Sequence, residues 1–103
     1  MPKFLFVYHG GKKPETPEEG ERGMAKWNAW FGEMGAAVVD GGNPVGMSKT
    51  VSSGSVADNG GANPTSGYSI VSAASIDEAV AHAKGCPILE SDGSVEVAEV
   101  MEM

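Results

Sequence analysis

The chain has 103 residues, a formal net charge of −7 at pH 7, 41% hydrophobic residues and 15 glycines. This length suits one domain with its own core and is short for two, so we expect a single domain over 1–103. Nucleic acids and anionic membranes are bound through clusters of Lys and Arg, which an acidic chain disfavours as partners. The apolar run Lys3–Tyr8 is too short for a signal peptide or a membrane span, so we expect a cytoplasmic protein.

The N-terminal third predicts a strand followed by a helix. Lys3–His9, KFLFVYH, is apolar on both alternating faces, which is typical of a central strand. A helix over Pro17–Met34 is indicated by Thr16 as N-cap, a proline at the first helical position and Glu19 at the third. The side chains expected to face the sheet are Met24, Trp27, Phe31 and Met34, with Trp30 at the flank of this stripe.

The middle of the chain is rich in glycine and turn residues. Ala36–Asp40 predicts a short second strand that stops at Gly41–Gly42–Asn43–Pro44. The segment 41–66 that follows predicts a long loop, with a small hairpin in Met47–Val56 around Ser53–Gly54. A loop of this length in a compact domain is usually functional or mobile.

The last third predicts strand, helix and strand. Tyr68–Ala73 has branched apolar residues on both faces. The helix that follows is capped by Ser75 with Glu78 three residues later, and Gly85 with Pro87 ends it. Its apolar stripe consists of Ile76, Ala79, Val80 and Ala83. Alternation over Ser94–Met101 predicts the last strand.

The order of these elements is βαββαβ, which predicts an α+β, ferredoxin-like domain. With right-handed crossovers, the four strands form an antiparallel sheet in the order 4-1-3-2, with both helices on one face. The other face carries apolar residues as well, and soluble monomers rarely expose such a patch. We therefore expect a homodimer in which two sheets pack face to face.

Several blocks of the sequence resemble the YCII-related proteins, close to their branch with a DGPF motif. The blocks are KFLFVYHGG at the N-terminus, GAAVVDGG after the first helix, GYSIVSAASIDEAVAHAKGCP at Gly67–Pro87 and GSVEVAEV near the end. The resemblance implies a ferredoxin-like fold that pairs into a dimeric α+β barrel.

Two signatures of that family differ in this chain. Where the branch has DGPF, this sequence has Asp58–Asn59–Gly60–Gly61, which retains only the first residue. Members proposed to be enzymes carry a histidine on the first helix paired with an acid, whereas Pro17–Met34 contains no histidine. The resemblance therefore implies a fold and a dimer rather than a particular reaction.

The predicted topology places four polar residues along one rim of the sheet: His9, Asp40, Tyr68 and Ser94. His9 and Asp40 are the candidate catalytic residues, because an imidazole opposite a carboxylate suits acid–base chemistry near neutral pH. Two inter-strand spacings would separate them by roughly 10 Å, so they would flank a ligand without direct contact. The alternative interpretation is a half-exposed histidine at a strand end and an aspartate that caps a turn.

Candidate ligand-binding residues are Tyr68 and Ser94 at the rim, Trp30 on the first helix and Lys49 in the loop. Trp30 is alternatively a core residue, and Lys49 a solvated cation. Neither a metal-ligand spacing nor a nucleotide motif is present, so no metal or cofactor is predicted. Two hypotheses stay open, namely a small-molecule enzyme or binding protein with its pocket at the barrel rim, and a noncatalytic dimerisation, ligand-sensing or protein-interaction module.

Overall fold

The computed structural model describes residues 1–102, so Met103 lies outside the described part of the predicted domain. It contains two α-helices and a four-stranded antiparallel sheet, which makes it an α+β structure. The helices are α1 (Pro17–Met34) and α2 (Ile76–Ala83), and the strands are β1 (Lys3–His9), β2 (Val38–Asp40), β3 (Thr50–Ser52), β4 (Ser55–Ala57), β5 (Thr65–Ser72) and β6 (Ser94–Glu99).

The main sheet has the order β2-β5-β1-β6, which is the order predicted from the sequence. Both neighbours of β1 run antiparallel to it, with Leu5 opposite Ile70 on β5 and Ala98 on β6. Strands β3 and β4 form the predicted small hairpin, in which Gly54 adopts a φ of 82° in the turn. This hairpin is a separate two-stranded sheet.

The helix ends follow the predicted capping chemistry. The Thr16 hydroxyl accepts the Glu19 amide at 3.1 Å, and the Ser75 hydroxyl accepts the Glu78 amide at 3.2 Å. Each bond satisfies an amide that has no partner within its own helix. Between the helices, β2 is shorter than predicted because Gly35–Ala37 forms one turn of 3-10 helix.

The core lies between one face of the sheet and the two helices. Phe4, Phe6 and Val71 are fully buried there, together with Ser69. From the helices, the buried residues are Trp30, Met34, Ala79 and Ala83. We call this side of the sheet the helix face.

The predicted helix stripes are correct in part. Met24 is 64% exposed, and Trp30, expected at the flank, is instead the most buried tryptophan at 4% exposure. On α2, Ala79 and Ala83 of the predicted stripe are buried, whereas Ile76 and Val80 are exposed. Because α2 contacts the sheet through its small alanines, its larger side chains lie at the margins of that contact. Met24 of α1 borders a cavity instead of packing against the sheet.

No helix of residues 1–102 packs on the other side of the sheet, which we call the open face. Leu5 and Val7 of β1 lie beside Tyr68 and Ile70 of β5, and all four are half-buried. Ala98 continues this apolar surface onto β6, and His9 lies at its end. The sheet is thus apolar on both faces, as predicted.

Candidate functional site

A cavity of about 400 Å³ opens between α1 and the segment that follows β2. We call it the helix-face pocket. Its size is within the range of small-molecule sites. Its lining is mostly apolar and aromatic, and consists of Tyr8, Met24, Trp27, Asn28, Phe31, Gly41, Gly42, Asn43, Pro44, Ser66, Gly67, Tyr68 and Ile88.

Three aromatic rings form one wall of the pocket, two from α1, Trp27 and Phe31, and one from β1, Tyr8. Trp27 meets Tyr8 edge-on, with ring centroids 5.0 Å apart and planes at 84°. It also packs against Phe31 at 5.9 Å and 39°. Rings held by one another in this way lose little further freedom when a ligand binds.

The opposite wall is backbone that runs beside β5. The Val45 amide donates to the Ser66 carbonyl at 3.0 Å, and the Tyr68 amide donates to the Asn43 carbonyl at 3.3 Å. Gly42 has a φ of 69°, and a Cβ there would collide with the Tyr68 carbonyl group. This position therefore requires glycine, because any side chain would push the wall away from β5.

Asp40 shapes this wall. Its Oδ1 accepts the Gly42 amide at 2.8 Å, which is the turn-capping arrangement that the sequence left as the alternative for this residue. The carboxylate is exposed and lies on edge strand β2, with β5 between it and His9. The structure thus does not bring the two candidate catalytic residues together.

Tyr8 and Ser69 connect the pocket to the core. The Tyr8 hydroxyl donates to Ser69 Oγ at 2.7 Å, and Ser69 Oγ donates to the Gly41 carbonyl at 2.7 Å. Burial raises the pKa of Tyr8, more than the bond to Ser69 lowers it. The phenol therefore stays protonated at neutral pH and holds the start of the pocket wall in place.

His9 lies on the open face, on the opposite side of the sheet from the pocket. Its Nδ1 is 3.2 Å from the Pro64 carbonyl oxygen, and its Nε2 is 3.1 Å from Glu96 Oε1. A carbonyl and a carboxylate can only accept hydrogen bonds, so both bonds form together only when both ring nitrogens carry hydrogen, as in the imidazolium. The carboxylate partner of His9 is therefore Glu96 of the neighbouring strand rather than Asp40.

The pKa of His9 reflects the same contacts. Burial, the largest influence, lowers this pKa, but the hydrogen bonds to Glu96, Pro64 and Asn63, with the charge of Glu96, together raise it above 6.5. The imidazole side chain is 11% exposed. In this arrangement His9 ties the end of the 41–66 segment to β6.

The remaining predicted site residues lie apart from the pocket, except Tyr68, which borders it. Ser94 pairs with His9 across the β1–β6 ladder. Lys49 forms an exposed ion pair with Asp58 at 3.3 Å. Tyr68 is inside its strand rather than at the start, because β5 begins at Thr65.

Trp30 packs in the core, where its ring stacks with Phe6 at 6.2 Å. Its indole N–H donates to the His82 carbonyl at 2.9 Å, so its polar atom is engaged as well. It also borders a second depression of about 430 Å³ beside Cys86. Burial raises the pKa of the Cys86 thiol to about 11, which keeps it protonated at neutral pH.

Sequence reasoning missed the helix-face pocket and the partner of His9. Two features of the sequence could have indicated the pocket: the side chains of Met24, Trp27 and Phe31, which the periodicity predicts to face the sheet, and the double glycine at Gly41–Gly42. Within residues 1–102, no group of three His, Cys, Asp or Glu side chains is placed to hold a metal ion. In the same range, neither helix combines the length and apolarity needed to cross a membrane.

Comparison with known proteins identifies the family. No curated protein and no solved structure matched the chain. The profile of the YCII-related domain matches residues 4–103, which confirms the resemblance of the sequence blocks to the YCII-related proteins. Since this match spans nearly the whole sequence, the chain belongs to the YCII-related domain family.

Proposed function

We propose that the protein binds a small organic molecule in the helix-face pocket, without changing it chemically. The observation that carries this proposal is the cavity of about 400 Å³ between α1 and the 41–44 segment. The rings of its aromatic wall pack against one another, and Gly42 lets the backbone wall approach β5 closely. The one ionisable side-chain type in the lining is tyrosine, and the Tyr8 hydroxyl is committed to Ser69.

The test is a fragment screen by ligand-observed NMR, followed by calorimetry on the hits. Met24→Trp would fill the mouth of the pocket at little cost in stability, since Met24 is 64% exposed. Met47→Trp is the matched control, because Met47 is 95% exposed and does not line the pocket. Hits that bind wild type and Met47→Trp but not Met24→Trp support the proposal. Hits that bind all three equally, or an absence of hits, would contradict it.

We also propose that the protein is a homodimer through the open face. Support comes from the apolar surface of Leu5, Val7, Tyr68 and Ile70, which no helix covers. The strand order supports a ferredoxin-like arrangement, and two such sheets face to face would form a dimeric α+β barrel. In this assembly the protein is a ligand-sensing or interaction module rather than an enzyme.

A second candidate function is acid–base catalysis at the open face. The His9–Glu96 pair favours it, because a second sheet would enclose this pair near Ser94, with Asp40 at the far edge. In this case His9 would release a proton from Nε2 to a substrate. If a substrate that reacts at the open face is found, His9→Ala should abolish its turnover. The same variant should leave ligand binding in the helix-face pocket unchanged.

We also propose a branch of the family and a cellular location for the protein. The block at Gly67–Pro87 supports a place close to the DGPF branch, although Asp58 is the one residue of that motif retained. The acidic composition and the single Cys86, a free thiol, support a cytoplasmic location.

A further inference from the structure

The lining of the helix-face pocket limits the charge of its ligand. Among the lining residues, the polar side-chain groups are the carboxamides of Asn28 and Asn43, the hydroxyls of Ser66 and Tyr8 and the indole N–H of Trp27. Tyr68, whose side chain lies on the open face, has its carbonyl group beside Gly42. No Lys, Arg, His, Asp or Glu is among the lining residues. A charged group buried there would lose its hydration without gaining a counter-ion, which is strongly unfavourable.

The hydroxyls are less adaptable than the carboxamides. Ser66 donates its hydroxyl hydrogen to the Gly10 carbonyl at 2.7 Å, and Tyr8 donates its own to Ser69. Asn28 and Asn43 each offer both donors and an acceptor. A neutral ligand with a hydrogen-bond donor and an acceptor at one edge could form both bonds with the carboxamide of Asn28 or Asn43.

The two walls limit the shape of the ligand. One wall is Trp27 with the rings of Tyr8 and Phe31 packed against it, and the other is the peptide backbone at Gly41 and Gly42. An aromatic ring surface and a peptide backbone both favour contact with a flat molecule, because planar groups pack closely without bulky projections. The volume of about 400 Å³ accommodates a body of two fused rings.

We propose that the ligand of this pocket is an uncharged, planar, largely aromatic molecule with one hydrogen-bonding edge. This inference rests on the proposed function, since it specifies the ligand class of the same pocket. Asn28 and Asn43 recognise the polar edge, and the Trp27 wall contacts the ring system. The net charge of −7 adds long-range repulsion for anions and attraction for cations, so the exclusion of cations rests on the lack of a counter-ion in the lining.

Three probes that share a naphthalene ring and carry a small polar group test the charge requirement: 2-naphthamide, 2-naphthoate and (2-naphthylmethyl)ammonium. Calorimetry at pH 7.5 should show 2-naphthamide binding at least tenfold tighter than either ion. A fourth probe, decahydronaphthalene-2-carboxamide, keeps the amide but is not flat, and it should bind several-fold more weakly than 2-naphthamide. Each titration is repeated with Met24→Trp and Met47→Trp, which are neutral and so do not favour one ion.

The outcomes separate the ligand class from the pocket itself. Equal or tighter binding of 2-naphthoate or of the ammonium probe would overturn the proposed class, and a cation preference would point to recognition by the ring faces. If that binding is lost in Met24→Trp, the pocket and the proposed function stand. If no naphthyl probe binds at millimolar concentration, the class is wrong, while fragments of other chemistry that depend on Met24 would still support the pocket.

Discussion

The two faces of the sheet differ in the kind of polar groups that they carry and in where these groups lie. On the helix face, Tyr8 and Ser69 are bonded to each other and to the Gly41 backbone, and an apolar cavity is left beside them. On the open face, an apolar centre is bordered by the charged pair His9–Glu96. This contrast is the basis of our proposals that the helix face binds the ligand and that the open face forms the dimer. The predictions below test that division.

Replacing Trp30 by alanine should have the largest effect on stability. The side chain is 4% exposed, stacks on Phe6 and donates to the His82 carbonyl. Its loss should lower the free energy of unfolding by about 3–5 kcal/mol, measured by urea denaturation followed by circular dichroism. Met24→Ala on the same helix is the control, with an expected change within about 0.5 kcal/mol. Similar losses for both variants would mean that Trp30 is not a core residue.

Placing a lysine at Leu5 should dissociate the proposed dimer. Leu5 lies at the centre of the open face, opposite Ile70 and Ala98, so a second sheet would have to bury the new charge. Sedimentation velocity at micromolar concentration should show a dimer for wild type and a monomer for Leu5→Lys. Val51→Lys, at a valine of the hairpin that is 77% exposed, should remain dimeric. A wild-type monomer at this concentration would refute assembly through this face.

Changing Asp40 should affect the pocket rather than a reaction. Asp40→Ala removes the acceptor for the Gly42 amide, so we expect a loss of about 1 kcal/mol in stability and weaker binding of 2-naphthamide. Asp40→Asn retains an oxygen acceptor and should keep most of both properties. Thermal unfolding and calorimetry measure the two effects. If asparagine were as damaging as alanine, the carboxylate charge, and not the turn, would be what matters.

The smallest effect is expected from His9, and it depends on pH. The folded-state pKa of His9 is raised, so its contribution to stability is fully present below the unfolded pKa of about 6.5 and is lost as pH rises through the folded pKa. Thermal melts of wild type and His9→Gln should therefore differ by a few degrees at pH 5.5 and converge in mildly alkaline solution.

An NMR titration checks the cause of that shift. The chain has two histidines, so His82 is an internal reference for the ring resonances of His9. Glu96→Gln should lower the pKa of His9, because it removes the carboxylate that favours the imidazolium. An unchanged pKa in Glu96→Gln would show that the pair does not form in solution.

Local signals in the sequence were sufficient for much of the fold. Thr16 with Glu19 and Ser75 with Glu78 located both helix starts, because capping depends on residues three positions apart. Crossover handedness and strand alternation then gave the order of the main sheet. The exact bounds of β5 and β2 were less accurate, since they depend on pairing with distant residues.

The candidate site was less predictable because it depends on contacts between distant segments. Periodicity places Trp27 and Trp30 near the same side of α1, but which of them is buried depends on Phe6 and His82. The partner of His9 is set by the register of β1 on β6, which places Glu96 rather than Asp40 beside it. The need for glycine at position 42 becomes visible only when the Tyr68 carbonyl is beside it.

The β3–β4 hairpin pairs only with itself among the sheets of residues 1–102, and all of its strand residues are exposed. Two strands alone are marginally stable in water, so this segment should open without the rest of the domain unfolding. Amide exchange in Thr50–Ala57 should therefore be fast and insensitive to core variants such as Trp30→Ala. The same independence makes the hairpin tip at Ser53–Gly54 a suitable position for an inserted peptide tag or fluorophore.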